Sequence, residues 1–254
     1  MNLPQLYDIF REKWEKYQSV WLISDTHFDD EELYVGTKHV MRANSEDYVK
    51  LINSKCGKND LLIHLGDVGN LEVMKKVRAE YKVLIMGNHD AGASNYKRKV
   101  YYESFDAHKH TRQEVINIMK EKYPNWQITV SSEPIPLLIG NTIYKCKADN
   151  CLFDEVYTGP LIIGEKLILS HEPVDVPWAA NIHGHCHSPN HKDGLNQYNI
   201  CPDATGDFNP VNLGQILKHS GFLSRVQSLH RDTIDNATKR ARKRGKKYGQ
   251  KVKS

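Results

Sequence analysis

The chain has 254 residues, with 35 Lys and Arg against 31 Asp and Glu for a formal net charge of +4, and it is 39% hydrophobic and 26% charged. That length and balance predict one globular domain with decorations, and they exclude collagen-like and wholly disordered chains. No apolar run approaches the roughly 18 residues of a membrane-spanning helix, so no membrane partner is expected.

In chain order, Leu6, Ile9, Phe10, Trp14 and Tyr17 recur at helical spacing and predict an amphipathic helix over 4–18. The same stretch lacks the apolar core and small-residue cleavage site of a signal peptide. The five cysteines are odd in number, widely spaced and free of CxxC pairs. They read as reduced thiols, and a cytoplasmic protein is expected. Three short apolar runs follow, at 20–24, 61–65 and 82–86. A helix capped by Asn44 or Ser45 and running to about Ser54 separates the first two, and a helix at about 71–80 separates the second pair. Strand alternating with helix implies right-handed crossovers and a buried parallel or mixed sheet.

Residues 91–125 read as polar and helical. Beyond Trp126 the character changes to short β-prone runs at 126–131, 135–139, 142–147 and 161–163, with hairpin turns at Gly140-Asn141 and Gly164-Glu165. The run 167–170 ends in His171, and 181–182 leads into a histidine cluster. Helices near 211–218 and from about 222 close the fold. Nine of the 35 basic residues lie in 236–254, where there is no Asp or Glu; removing them leaves 26 basic against 31 acidic residues in 1–235, a net of −5. The chain therefore divides into a mildly acidic body and a basic C-terminal tail that could contact nucleic-acid phosphates.

Side chains able to bind metal stand at strand ends, one set after another: Asp25-Thr26-His27, Gly66-Asp67, Gly87-Asn88-His89-Asp90, His171, and Gly184-His185-Cys186-His187. In open α/β sheets functional groups gather at the carboxyl ends of the strands. Glycine before Asp67, Asn88 and His185 permits close backbone approach there. Carboxylate, imidazole and amide oxygen suit borderline and hard divalent ions such as Mn, Fe, Zn or Co, and the absence of a thiolate set argues against a structural zinc knot. A carboxylate can bridge two ions, and two ions can clamp the attacking and leaving oxygens of a phosphoryl displacement.

This series, Asp25-X-His27, Gly66-Asp67, Gly87-Asn88-His89-Asp90, His171 and Gly184-His185-X-His187, resembles the signature of the calcineurin-like metallophosphoesterases, and the string Ile23-Ser24-Asp25-Thr26-His27-Phe28 is similar to small bacterial and phage members. The resemblance implies an α/β fold, a four-layer αββα sandwich of two mixed sheets with a dinuclear metal site at the sheet edge. It implies one ion held by Asp25, His27, Asp67 and His187 and a second held by Asp67, Asn88, His171 and His185. Manganese is the first choice, with Fe, Zn, Ni, Co or Mg as alternatives. A hydroxide shared by the two ions would attack phosphorus in line, His89 would protonate the leaving oxygen, and Asp90 would orient the His89 imidazole. The implied activity is hydrolysis of a phosphate ester, leaning to a phosphodiester or nucleotide because of the basic tail. A phosphomonoesterase or protein phosphatase is the alternative, and a nucleic-acid-binding or interaction scaffold on the same fold is a second one. The motifs do not address oligomeric state.

The sequence also departs from close members. Where those continue with Gly-His, this chain has Phe28-Asp29-Asp30-Glu31-Glu32, and an acidic loop beside a phosphate site repels anions unless it faces away. About 80 residues separate Asp90 from His171, which marks about 91–165 as an inserted segment in a body spanning 1–235. Arg42 is a candidate to hold a substrate phosphate. His64 reads as a core histidine or one that supports the ligands.

Overall fold

The computed structural model describes residues 10, 13–30, 44–138, 140–164, 166–190, 193–194 and 196–219. Arg42, the helix expected from about 222 and the basic tail 236–254 lie outside these, as does most of the helix expected over 4–18.

Three apolar runs form the centre. Strands β1 (Val20–Ile23), β2 (Leu61–His64) and β3 (Tyr81–Ile85) lie parallel and adjacent, with Ile23 opposite His64 and His64 opposite Leu84. Successive side chains of a strand point to opposite faces, and here both faces are apolar. Val20, Leu22, Leu61, Ile63, Val83 and Ile85 face one core, while Ile23, Leu62 and Leu84 face another. The second core is closed by helix α1 (Ser45–Lys55), through Tyr48, Val49 and Ile52, and by helix α2 (Leu71–Met74), through Val73 and Met74. Helix α1 starts where the sequence says it should. The Asn44 side chain accepts from the Asp47 N–H at 3.2 Å, and Glu46 and Asp47 sit at the positive end of the helix.

The next segment departs from the helical expectation for 91–125. Helix α3 (Ala93–Tyr96) is one turn, strand β4 (Val100–Asp106) follows, and only helix α4 (Arg112–Lys122) is a helix of length. Tyr101 and Phe105 fit helical spacing, but antiparallel pairing decides the matter. Strand β4 pairs along its whole length with β7 (Thr142–Asp149), which also pairs with β5 (Gln127–Val130) and with the short β6 (Ile135–Pro136). Helix α4, closed by a Thr111/Glu114 capping box, packs Val115 and Met119 against Val130, Cys146 and Ala148 of this antiparallel sheet.

The chain then returns to the main body. Strand β8 (Glu155–Tyr157) joins β3 in parallel. Strands β9 (Leu161–Gly164), β10 (Leu167–Leu169), β11 (Ala180–His183) and β12 (Gln197–Asn199) form a second mixed sheet in the order β12-β11-β10-β9. Short helix α5 (Pro202–Thr205), strand β13 (Val211–Asn212) and helix α6 (Leu213–His219) end the described chain, with β13 antiparallel on β1. Leu161, Ile163, Leu167, Leu169, Ala180 and Ile182 face the inner side of the first sheet, and Trp14, Tyr17, Leu213 and Ile216 close the same core. The described residues thus supply a helical layer and two facing mixed sheets; a second helical layer is not among them. None of the described helices is long and apolar enough to cross a membrane.

Candidate metal centre

Strands β1, β2, β3, β10 and β11 run in one direction within their sheets, and each hands over to a short loop carrying predicted ligands. The backbone there is unusual. Asp25, His27, Asp67 and His185 have φ of 49°, 40°, 58° and 66°, the left-handed region that non-glycine residues avoid. Such positions cost about 1–3 kcal/mol each and persist only where the surroundings dictate them. Here they are dictated by interlocking loops. Asp25 N–H donates to Gly66 O at 2.9 Å, His27 N–H to Asp67 O at 3.0 Å, and His185 N–H to both Asp25 carboxylate oxygens at 3.1 and 3.0 Å. Two glycines are fixed by space. A Cβ on Gly184 would lie 1.8 Å from Ser24 Oγ and 2.2 Å from Asp25 Oδ2; one on Gly87 would lie 2.1 Å from Asp67 Oδ1.

Asp25, His27, Asp67 and His187 each place a ligand atom within 4.8 Å of the others. His27 Nε2 is 3.5 Å from Asp67 Oδ2, and His187 Nε2 is 3.4 Å from Asp25 Oδ1. On the other side of Asp67, His171 Nε2 stands 3.3 Å from the same Oδ2 atom. His171 Nε2 and His185 Nδ1 meet the Asn88 amide oxygen at 2.9 and 3.0 Å and lie 3.2 Å from each other. The other six predicted ligands therefore cluster with Asp67.

The donor chemistry fits divalent cations. His171 Nδ1 sits 2.8 Å from the Leu65 carbonyl, an acceptor only, so one proton is fixed there and Nε2 is the nitrogen that can offer a lone pair when the ring is neutral. That nitrogen faces an amide oxygen, a carboxylate and a second imidazole nitrogen. His27 Nδ1 is 3.2 Å from Asp30 Oδ2, which leaves His27 Nε2 buried with no hydrogen-bond partner. Electron pairs directed at one another repel unless a cation or proton lies among them. A histidine whose far nitrogen donates to a carboxylate or carbonyl is the usual metal-ligating arrangement. His187 has it too, with Nδ1 at 2.5 Å from Asp203 Oδ2.

Charge follows the same pattern. Burial opposes ionisation of Asp67, but the adjacent His171 and His27 imidazoles and the His89 N–H hold its carboxyl well below the usual range. Asp25 is likewise held low: burial opposes, and His187, His171 and Ser24 prevail. Hydrogen bonds to Asp203 and then Asp25 push His187 up to about 12, so a metal ion must displace a tightly held proton there.

The remaining predicted residues divide. His89 is exposed at the mouth of the site, its ring edge-on to His27 with centroids 5.2 Å apart and its main-chain N–H on Asp67 Oδ1 at 2.9 Å. Asp90 does not orient the His89 ring. Its Oδ2 accepts from the N–H groups of Asp67 and Gly87 at 2.9 Å each, and its Oδ1 from Val68 at 3.1 Å. It ties the two central loops together because both expose main-chain donors toward it. The two described carboxylates of the acidic loop are engaged in hydrogen bonds. Asp30 supports His27, and Asp29 accepts from Ser45 at 2.6 Å and Asn70 at 2.7 Å. His64 is a buried core histidine with Nδ1 accepting from Gly66 N–H at 3.1 Å and Nε2 on Thr26 Oγ1 at 2.8 Å; burial lowers it to about 4, so it stays neutral. Asp203 escaped the sequence reading. It follows no ligand-bearing strand, and its only sequence signal is a carboxylate at the start of a short helix.

The model of the calcineurin-like phosphoesterase family matches residues 19–222. The chain belongs to that family, whose members use divalent ions to hydrolyse phosphate esters. No curated protein matches the chain. Among solved structures, a protein of unknown function from Aquifex aeolicus is similar at 20% identity and a TM-score of 0.46, over 79% of this chain and 98% of that one.

Proposed function

We propose that the chain is a dinuclear metal-dependent phosphoesterase acting on a phosphodiester or nucleotide. The observation that carries this reading is the convergence of two sets of lone pairs on a shared Asp67, one set of Asp25, His27 and His187, the other of Asn88, His171 and His185. When bound, divalent ions of which manganese is the first candidate would neutralise phosphoryl charge and acidify water near neutral pH. The chain's own residues do the rest. Asp203, Asp30 and the Leu65 carbonyl fix three imidazoles with their lone pairs inward. His89, anchored by its main chain to Asp67, is placed to give a proton to the departing oxygen. A cleft of about 310 Å³ opens beside Asn88 and His171, bounded by Met86, Thr158, Pro160 and Pro173, and offers room for an organic group on the ester.

In this reading residues 1–235 form the catalytic body on a four-layer αββα sandwich, about 91–165 an insertion and 236–254 an electrostatic arm. The five free cysteines favour a reducing, cytoplasmic setting.

The test combines two variants with a substrate matrix. Asp67→Ala should abolish metal retention and hydrolysis together, and retained activity would reject the assignment. His89→Asn should keep both metals yet lower kcat by about 10²–10⁴-fold, most for poor leaving groups. Chromogenic mono- and diesters, cyclic nucleotides and oligonucleotides, each with Mn, Ni, Co, Zn and Mg, separate the diester reading from a monoesterase or protein phosphatase.

A further inference from the structure

A second cavity, of about 410 Å³, lies at the opposite end of the first sheet, where β2, β3 and β8 begin. Strand rise puts Lys82, at the start of β3, roughly 15 Å from the loop that carries Asn88. Six cationic side chains line this cavity against one carboxylate, Glu80. Three of the six already have anionic partners: Lys75 with Glu72 at 2.6 Å, Lys76 with Glu46, and Arg98 with Asp149 at 2.6 Å and Asp154 at 2.8 Å. The other three do not. Lys58 and Arg78 are exposed and pair with no carboxylate among the described residues. Lys82 is 5% exposed, and its ammonium reaches only carbonyl oxygens, of Cys151 at 2.6 Å and Val77 at 3.4 Å.

A buried ammonium with no carboxylate in hydrogen-bond contact is costly, and carbonyl dipoles together with the more distant Asp154 and Asp149 compensate it only in part. Burial lowers Lys82 to about 8, the response of a cation held out of water. With Lys147, which also pairs with Asp149, seven cations stand against the five carboxylates Glu46, Glu72, Glu80, Asp149 and Asp154, an excess of two positive charges. A single carboxylate ligand would not match that excess, whereas linked phosphates supply two or more charges and several acceptor oxygens. Val77, Ala79 and Leu152 are buried beside the cations and give the cavity an apolar wall. We infer that this cavity is a binding site for a small anion with linked phosphate groups, a nucleoside di- or triphosphate or pyrophosphate, separate from the metal centre. Lys82 is the buried anchor of the site, and Lys58 and Arg78 are its outer clamps.

The experiment is calorimetric titration of the full chain with inorganic pyrophosphate and with ADP at low salt. Asp67→Ala, which disables the metal centre, should retain one anion-binding event. Lys58→Ala/Arg78→Ala, both at the surface, should weaken that event at least tenfold while hydrolysis of a small chromogenic diester stays at the wild-type rate. Lys82→Met should weaken it as much, and the surface pair decides the matter if that variant does not fold. Binding should fall as salt rises. Wild-type affinity in the double variant would overturn the inference, as would loss of all anion binding in Asp67→Ala. Displacement by a single-stranded oligonucleotide with no response to pyrophosphate or ADP would also overturn it and assign the surface to polynucleotide.

Discussion

At the scale of single residues, the proposed ligands are held by groups outside the proposed ligand set. His187 is the clearest case. Its Nε2 points toward Asp25 while Nδ1 is fixed at 2.5 Å by Asp203, a half-buried imidazole between two buried carboxylates. Removing Asp203 frees the ring to rotate and lowers its basicity without touching a ligand. Supporting carboxylates of this kind contribute about 10–100-fold in metal affinity. Asp203→Ala should therefore bind manganese some 10–100-fold more weakly while keeping its far-ultraviolet spectrum. Calorimetry with Mn²⁺ measures this, and unchanged affinity would show that the Asp203 contact is incidental. The same variant should also let His187 lose its proton at lower pH, because its strongest stabilising partner is gone.

At the scale of elements, the site is a set of loops locked to one another, and Asp90 is the lock. Its carboxylate takes three main-chain N–H groups from the loops after β2 and β3, the loops that carry Asp67 and Asn88. Hydrogen bonds to a charged group contribute about 1.5–3 kcal/mol each, and orphaned donors add a desolvation cost. Asp90→Ala should thus lower stability by about 2–4 kcal/mol and lose metal, whereas His89→Asn should leave stability near wild type. Thermal melts of the two variants separate the roles; a stable, metal-replete Asp90→Ala protein would return Asp90 to the catalytic dyad. Much of this was legible in the sequence, because each ligand directly follows an apolar run and three of them follow a glycine whose Cβ the site has no room for. The supporting carboxylates were not legible. Asp203 is near His187 only in the folded chain, and Asp30 read as part of a repellent acidic loop although its side chain faces His27. Strand β4 was misread for a related reason. Its aromatic residues suit either period, and its pairing partner β7 lies some 40 residues away. Strands β8 and β12 are three residues each, too short for any periodicity to show.

At the scale of the whole molecule, an antiparallel sheet must be fastened to the mixed sheet beside it, and one charged cluster does this. Arg98 donates to Phe153 O at 2.7 Å through its main chain, while its guanidinium holds Asp149 at the end of β7 and Asp154 just before β8. Asp154 in turn accepts from Lys82 N–H at 2.8 Å, and Lys147 adds a contact to Asp149 at 2.8 Å. Asp149 is 2% exposed. Burial opposes its ionisation, but Arg98, Lys147 and the Cys151 N–H outweigh burial and keep its carboxyl well below the usual range. The sign follows from linkage. An unfolded aspartate is ionised above about pH 4, so the stability stored in this pair is fully present above about pH 5 and is lost as pH falls toward the depressed native value. A carboxylate paired this strongly contributes on the order of 2–3 kcal/mol. Asp149→Asn should melt well below wild type at pH 7, and the gap should narrow steadily between about pH 5 and pH 2, where the unfolded wild-type aspartate takes up a proton that the folded one still refuses. The comparison cancels the acid sensitivity of the metal centre, because both proteins carry the same ligands. A gap that stayed constant from pH 7 down to pH 2 would mean that the antiparallel sheet is held by its packed surface and that the Arg98 cluster contributes geometry without charge-dependent stability.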